Sequence, residues 1–413
     1  MPTPKNHSYS LSVIQLAITL ITATGVSFRE VSKIFIQLNL TLRLELGCPT
    51  HATVLIWIKK QGISQFRSHD YYGEEKWVLI ADESIQFGNK KILLILAVPE
   101  RRCNQGEALS YRDITPMVLK VSDSWKSEAI AGQIKEHIDL KKIAYCISDM
   151  GSNLTCAFES LNCIHIPDVN HKFSLIIKSV FEGNAQFDDY TKALALLRAQ
   201  KSMSKMARIV PPNQRIMCRY MNLHPLFEWG VKMIHLLDKN QLNEHEKTAL
   251  SFLESFRTFI FDTFLLLNSL SEIQTILKLR GFNKDSKKEA WAIVTCMNSG
   301  NALKIKKILR DYFAYLTRKA KGKTICCSSD IIEACFGKYK EIVHGNKTIG
   351  ISDLSLCIAA MTGNNFTEQT KHAMENIKMK HVKEWKANNI SKTLFAEKIE
   401  LNKKIERINS YRI

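Results

Sequence analysis

Trp77-Val-Leu-Ile-Ala-Asp82-Glu-Ser84 is an apolar run that ends on an acid. Trp, Val and Ile favour extended backbone, because their side chains pack well on a pleated surface. At a period of two, Val78, Ile80 and Asp82 share one face of the strand. A carboxylate in that position is costly to bury unless it is paired or binds a metal. A second apolar run, Ile92 to Val98, follows within hairpin distance, with Gly88-Asn89 as the turn signal. Further on, Lys142-Ile-Ala-Tyr-Cys-Ile-Ser148 reads as a buried strand that ends at Asp149. Strands over Asp113–Val121 and Cys163–Pro167 and helices over Ser124–His137, Asn153–Leu161 and Lys172–Phe181 complete the order β-β-β-α-β-α-β-α across 71–183. That alternation predicts an α/β fold, a mixed sheet with flanking helices on both faces.

The flanks of this core are helical in period. Residues 1–70 read as three short helices: Leu11–Thr24, one opened by Ser27 with Glu30 as a capping box, and Thr50–Lys60 closed by Gly62. Three such helices with basic residues suit an N-terminal helix-turn-helix module with Arg29, Lys33, Lys59 and Lys60 as phosphate contacts. A helical cap packed on the next domain is the alternative. From 184 to 320 the strand signal is lost. Tyr190–Lys201, Leu223–Asp238, Glu244–Leu270 and Ala302–Arg318 predict an all-α insertion. Residues 190–225 carry seven Lys or Arg and no acid: Lys192, Arg198, Lys201, Lys205, Arg208, Arg215 and Arg219. One sign of charge on a helical surface suits a phosphate track, whereas a solvated face more often mixes signs. A helix restarts near Ser328 within 321–350. Residues 351–413 read as a basic helical tail; from 371, where eleven Lys or Arg stand against five acids, it is expected to be exposed.

The bulk numbers fit this organisation. A chain of 413 residues is long enough for two or three domains. Its net charge of +18 and pI near 9.3 point to a polyanionic partner. Eleven scattered Cys, without C-x-x-C pairs, argue against a secreted disulfide framework and for an intracellular protein. The first ten residues are polar, unlike a signal peptide. Val13–Val26 is too short and too interrupted to span a bilayer, so no membrane partner is expected.

Three acids stand where a metal site could use them. Asp82 and Asp149 end strands, and the carboxyl ends of strands border the ligand crevice in open α/β sheets. Glu333 lies on the helix that follows the insertion. Three neighbouring carboxylates repel one another unless cations sit between them, and hard oxygen ligands suit Mg²⁺ or Mn²⁺. Two such ions about 4 Å apart serve phosphodiester cleavage. Each acid also has a plainer explanation: a turn for Asp82, an Asx turn or helix cap for Asp149, and a capping glutamate after Asp330 for Glu333. Cys163, His165, Asp168 and His171 offer a separate zinc alternative, though without the spacing of a standard finger.

Taken together, the chain resembles the DDE transposases, whose catalytic core is like ribonuclease H. The text that carries the resemblance is Ile80-Ala-Asp-Glu-Ser, Ile147-Ser-Asp-Met-Gly-Ser-Asn and Ile331-Ile-Glu-Ala-Cys-Phe-Gly-Lys-Tyr-Lys. The helical insertion between the second Asp and the Glu is similar to that of hAT-like transposases. So is Asp168-Val-Asn-His171-Lys-Phe-Ser-Leu, which has Asp where that group's C-x-x-H motif has Cys. The resemblance covers residues 75–345. It implies a ribonuclease H-like mixed sheet, with Asp82, Asp149 and Glu333 holding two Mg²⁺ or Mn²⁺ ions. His171 would orient the scissile phosphate or donate a hydrogen bond, a structural role being its alternative. It further implies cleavage at transposon ends and strand transfer into target double-stranded DNA by a homodimer or higher oligomer. The location implied is DNA-associated, in nucleoid or nucleus. A nuclease without strand transfer and a catalytically silent DNA-binding derivative remain alternatives.

Overall fold

The computed structural model describes residues 2–68, 71, 73, 75–87, 90–214, 220, 222–298, 300–343, 351–363, 367–391, 398–402 and 404–405. The expected turn at Gly88-Asn89 and the basic residues Arg215 and Arg219 lie outside the described residues. The chain divides into two compact units: Met1–Cys103 with Leu109–Ile166 and Ser329–Ile413, and Asn104–Ala108 with Pro167–Ser328.

The first unit is built on a five-stranded mixed sheet in the order β3-β2-β1-β4-β5. Its strands are β1 (Trp77–Phe87), β2 (Lys90–Pro99), β3 (Thr115–Ser122), β4 (Ile143–Ser148) and β5 (His165–Pro167). β1 runs antiparallel to β2 and parallel to β4, and β2 runs antiparallel to β3. Strict alternation sorts the side chains of β1. Trp77, Leu79 and Ala81 join a core with Leu93, Ile95, Met117 and Cys146. Helices α5 (Ser127–His137) and α6 (Ser152–Ser160) cover it with Ile130, Ile134, Leu154 and Phe158. Val78 and Ile80 are fully buried on the opposite face. There α14 (Asp330–Val343) packs on β1, and α3 (His51–Phe66) packs on β3.

The helices that precede the sheet form where the sequence places them. α1 spans Leu11–Thr24, and α2 (Phe28–Leu42) opens on the Ser27–Glu30 capping box. α3 differs from expectation. It runs through Gly62 to Phe66, because Gly62 is a packing residue and not a stop. A Cβ there would lie 2.4 Å from the carbonyl oxygen of Leu356 on α15 (Leu356–Met361). α3 is the hub of a helical layer, packed by α1, α2, α15, α16 (Thr367–Asn376) and α17 (Met379–Asn389). The N-terminal helices belong to the same compact unit as the sheet. All six residues of α15 are buried, and its apolar run, Leu356-Cys-Ile-Ala-Ala-Met361, supplies the reason. Further on, Lys378, Lys380, Lys383 and Lys386 are exposed.

The second unit is helical, as expected of the insertion, but begins at Pro167 and not at 184. It holds α7 (Val169–Phe181), α8 (Ala185–Lys201), α9 (His224–Asp238), α10 (Glu244–Leu250), α11 (Arg257–Arg280), α12 (Lys284–Cys296) and α13 (Ala302–Ala320). Phe181, Phe187, Tyr190, Phe227 and Phe259 stack as one aromatic cluster between α7, α8, α9 and α11. The helix expected over Glu244–Leu270 is broken by a 3₁₀ segment at Ser251–Phe256.

Candidate active site

Asp82 lies on β1, and Asp149 follows β4, its parallel neighbour in the sheet. In the parallel pair β1/β4, Val78 faces Tyr145, Leu79 faces Cys146 and Ile80 faces Ile147. The pairing ends there; carried on by two residues, the same register would bring Asp82 level with Asp149, the residue after β4. Both belong to the face of Val78, Ile80, Tyr145 and Ile147, opposite α5 and α6. Each is half-buried, but only Asp149 follows the end of its strand: β1 runs on to Phe87, so Asp82, expected to end it, stands midway along it and pairs with Leu94 of β2. The sequence builds both strands on apolar runs, each of which stops at an acid.

Asp149 is oriented locally. Its Oδ1 accepts the backbone N–H of Gly151 at 3.0 Å, an Asx turn that leads into α6. Behind it, the buried Ser148 Oγ donates to the carbonyl of Asp149 at 2.8 Å and lies 3.0 Å from His165 Nε2. Burial holds the His165 imidazole below its ordinary range. The hydrogen bond with Ser148 and the negative charges of Asp149 and Glu159 pull the other way. One strand turn deeper, the fully buried Cys146 donates its S–H to Cys163. That bond holds the Cys163 thiol below its usual range, and burial pushes Cys146 up.

Glu333 is exposed in the first turn of α14, the helix that packs on β1. Among the described residues, no three His, Cys, Asp or Glu side chains gather into a metal-holding group. Of the expected triad, therefore, the fold sets the two aspartates on or just past adjoining strands and puts the glutamate on an adjoining helix without closing the set. The donor chemistry of the two aspartates fits a hard divalent cation: half-buried carboxylate oxygens, one midway along β1 and one just past β4. Of the residues of the zinc alternative, Cys163 hydrogen-bonds with Cys146 and His165 with Ser148.

His171 sits in the first turn of α7. Its Nδ1 is 3.0 Å from Oδ2 of Asp168, which is fully buried and also caps the helix by accepting the His171 backbone N–H. Asp168 therefore holds the His171 imidazole in one orientation. The sequence did not show that Asp168 caps α7, which put the expected helix start at Lys172, three residues late.

The expected phosphate contacts divide sharply. Arg29 and Lys33 are exposed on α2. Lys59 is turned inward to Asp353 at 2.9 Å, with 13% of its side chain exposed. Lys60 donates to the carbonyl of Met374 at 3.1 Å, and burial pulls its ammonium below the usual range. α3 leaves only His51, Ala52 and Ile56 exposed along its length, so it cannot lie in a major groove. In the second unit, Arg198 donates to the carbonyl of Pro211 at 2.6 Å. Arg208 donates twice to the buried Glu246, each bond 2.7 Å. Lys205 is exposed and Lys201 half-exposed. Lys59, Lys60, Arg198 and Arg208 each bond a group distant in sequence, which a linear charge count cannot see; the Arg208 side chain is nonetheless 64% exposed.

Compared with known protein families the chain matches no family model, and no curated protein matches it. Among the described residues no helix is long and apolar enough to cross a membrane.

Proposed function

We propose that the chain is a DNA transposase with a ribonuclease H-like core. It would act on phosphodiesters at transposon ends and transfer the freed strand into target DNA. One observation supports this reading: the strand order β3-β2-β1-β4-β5, whose β1/β4 register runs toward Asp82, midway along β1, and Asp149, just past the end of β4. The carboxyl ends of strands border the crevice where open α/β sheets bind ligands. α14, which bears Glu333, leans on the same strand as Asp82.

In this function Asp82 and Asp149 hold Mg²⁺ or Mn²⁺, and Glu333 completes the set when α14 carries it to the pair. Bound there, such ions lower the pKa of water and stabilise charge on the leaving oxygen. The carboxylates also fix where the scissile phosphate lies. Water would form a new P–O bond as the 3′-oxygen leaves with a proton; that 3′-hydroxyl would then bond to a target phosphorus as the target's own 3′-oxygen leaves and takes up the proton. The Gly151 N–H keeps Asp149 turned toward the crevice during both steps. Joining two ends calls for at least two protomers on DNA, which would make the protein DNA-associated.

The exposed position of Glu333 favours a second reading, a DNA-binding protein descended from such an enzyme. One experiment separates the two. The protein is incubated with Mg²⁺ and double-stranded DNA carrying the element's ends. Joined products support transposition, cuts alone support a nuclease, and retarded but intact DNA supports a binder. Asp82→Asn is expected to abolish chemistry and spare binding. Activity that survives the change removes Asp82 from the site.

A further inference from the structure

The most one-signed helix of the second unit is not the run singled out in the sequence. Residues 302–323 carry eight Lys or Arg (304, 306, 307, 310, 318, 319, 321 and 323) against the single acid Asp311. On α13 the buried positions Ala302, Ile305, Leu309, Tyr312, Phe313, Leu316 and Ala320 form one stripe. At 100° per residue, Lys307, Arg310 and Arg318 fall on the side away from that stripe. All three are exposed, and no ion pair with a described residue holds them.

The other cations on and beside α13 brace it. Lys304 donates to the Ser179 carbonyl and Lys306 to that of Thr295 at 3.0 Å. Lys319 lies 5.5 Å over the Tyr315 ring, and Lys287 of α12 reaches Thr317 Oγ1 at 3.0 Å. The helix is thus pinned on its flanks with its outer charges left to solvent. From Lys307 to Arg318 the helix rises about 17 Å, roughly five phosphate steps along one DNA strand. That outer side also carries the exposed Asp311, one turn on from Lys307, so the three cations outnumber one acid there.

We propose that the outer face of α13, through Lys307, Arg310 and Arg318, is a phosphate-tracking surface for double-stranded DNA. The assignment rests on the reading of the protein as DNA-acting. It adds a surface distinct from the acidic pair and from the basic residues of 190–225. Contacts of this kind position a duplex without reading its bases.

The test uses the full chain and a labelled 30-base-pair duplex of arbitrary sequence, with Kd measured from 50 to 200 mM salt. Removing three phosphate contacts in Lys307→Gln/Arg310→Gln/Arg318→Gln is expected to lower the slope of log K against log salt by about 2.7. Affinity at 100 mM salt should fall at least tenfold, with the circular dichroism melt unchanged. The single Lys307→Gln is expected to lower the slope by about 0.9, which keeps the test intact if the triple variant folds poorly. An unchanged slope overturns the proposal. So does a slope lost in Lys201→Gln/Lys205→Gln but kept in the α13 variant. Capture of the protein by phosphatidylserine vesicles and not by the duplex overturns it in favour of a membrane surface. Failure of the unaltered protein to bind any duplex removes this proposal and the DNA reading together. Binding that ignores α13 removes this proposal alone.

Discussion

The backbone N–H of Gly151 donates to Oδ1 of Asp149, and a Cβ at Gly151 would lie 2.9 Å from that same oxygen. The glycine therefore permits the carboxylate orientation that its own amide enforces. Gly151→Ala forces the carboxylate to turn, while α6 keeps its start. The expected outcome is a fall of about 100-fold in Mg²⁺-dependent DNA cleavage, the usual cost of a misplaced reacting group. Duplex affinity and melting temperature should not change. Cleavage at the original rate would mean that the direction of the Asp149 carboxylate does not matter to the chemistry.

A pH dependence of stability follows from two histidines of the first unit. Burial is the largest influence on both His7 and His165, and it holds each imidazole below its ordinary value of 6.5. The folded chain thus prefers these rings neutral, and the unfolded chain takes up their protons first as pH falls. Their contribution is complete above 6.5 and is lost on acidification from there toward the lower folded values. Urea melts from pH 7.5 down to 5.5 should show the free energy of unfolding declining. The double variant His7→Gln/His165→Gln should show a shallower decline. Equal slopes in both proteins would exclude these rings as the cause.

Local rules made much of the molecule legible. The apolar runs that end at Asp82 and Asp149 give their own strands, and alternation alone puts both acids on one face. The Ser27–Glu30 box needs only a three-residue spacing, and both of its hydrogen bonds are present. What escaped is whatever depends on a distant partner. Arg208 looked like part of an unopposed basic run because its acid, Glu246, stands 38 residues away. The run on α13 was passed over because apolar residues of the buried stripe interleave its charges in the linear text. Glu333 is the same problem reversed. Its helix and start signal are local, but its distance from the aspartates is a matter of packing that no spacing encodes.

Lys59 offers a direct choice between a structural and a phosphate-binding role. Its ammonium meets the Asp353 carboxylate at 2.9 Å, and both side chains are mostly shielded, at 13% and 21% exposed. Lys59→Met should leave that carboxylate without its donor and cost about 1.5–3 kcal/mol, as for a hydrogen bond between charged groups. Asp353→Asn should cost a similar amount, and the double variant less than the sum, because the two losses are one interaction. The salt slope for duplex binding should be unaltered in all three. A reduced slope with unchanged stability would return Lys59 to the DNA surface.

Gly62 tests whether the C-terminal helices are part of the folded unit. Its missing side chain lets the backbone of α15 approach α3, since a Cβ would sit 2.4 Å from the Leu356 carbonyl oxygen and 3.1 Å from the Leu356 Cβ. The first obstacle is backbone, which cannot swing aside as a side chain tip can. On helix propensity alone Gly62→Ala should stabilise by about 0.5–1 kcal/mol, because glycine is a poor interior helix residue. The clash opposes this with the cost of overpacking, about 1–3 kcal/mol, and should win. Limited proteolysis should then cut after 351 in the variant at protease levels that leave the unaltered chain whole. A variant as stable as the original, with the C-terminal segment still protected, would mean that α15 can step back from α3 at no cost. α3 would then not be the tightly packed hub described above.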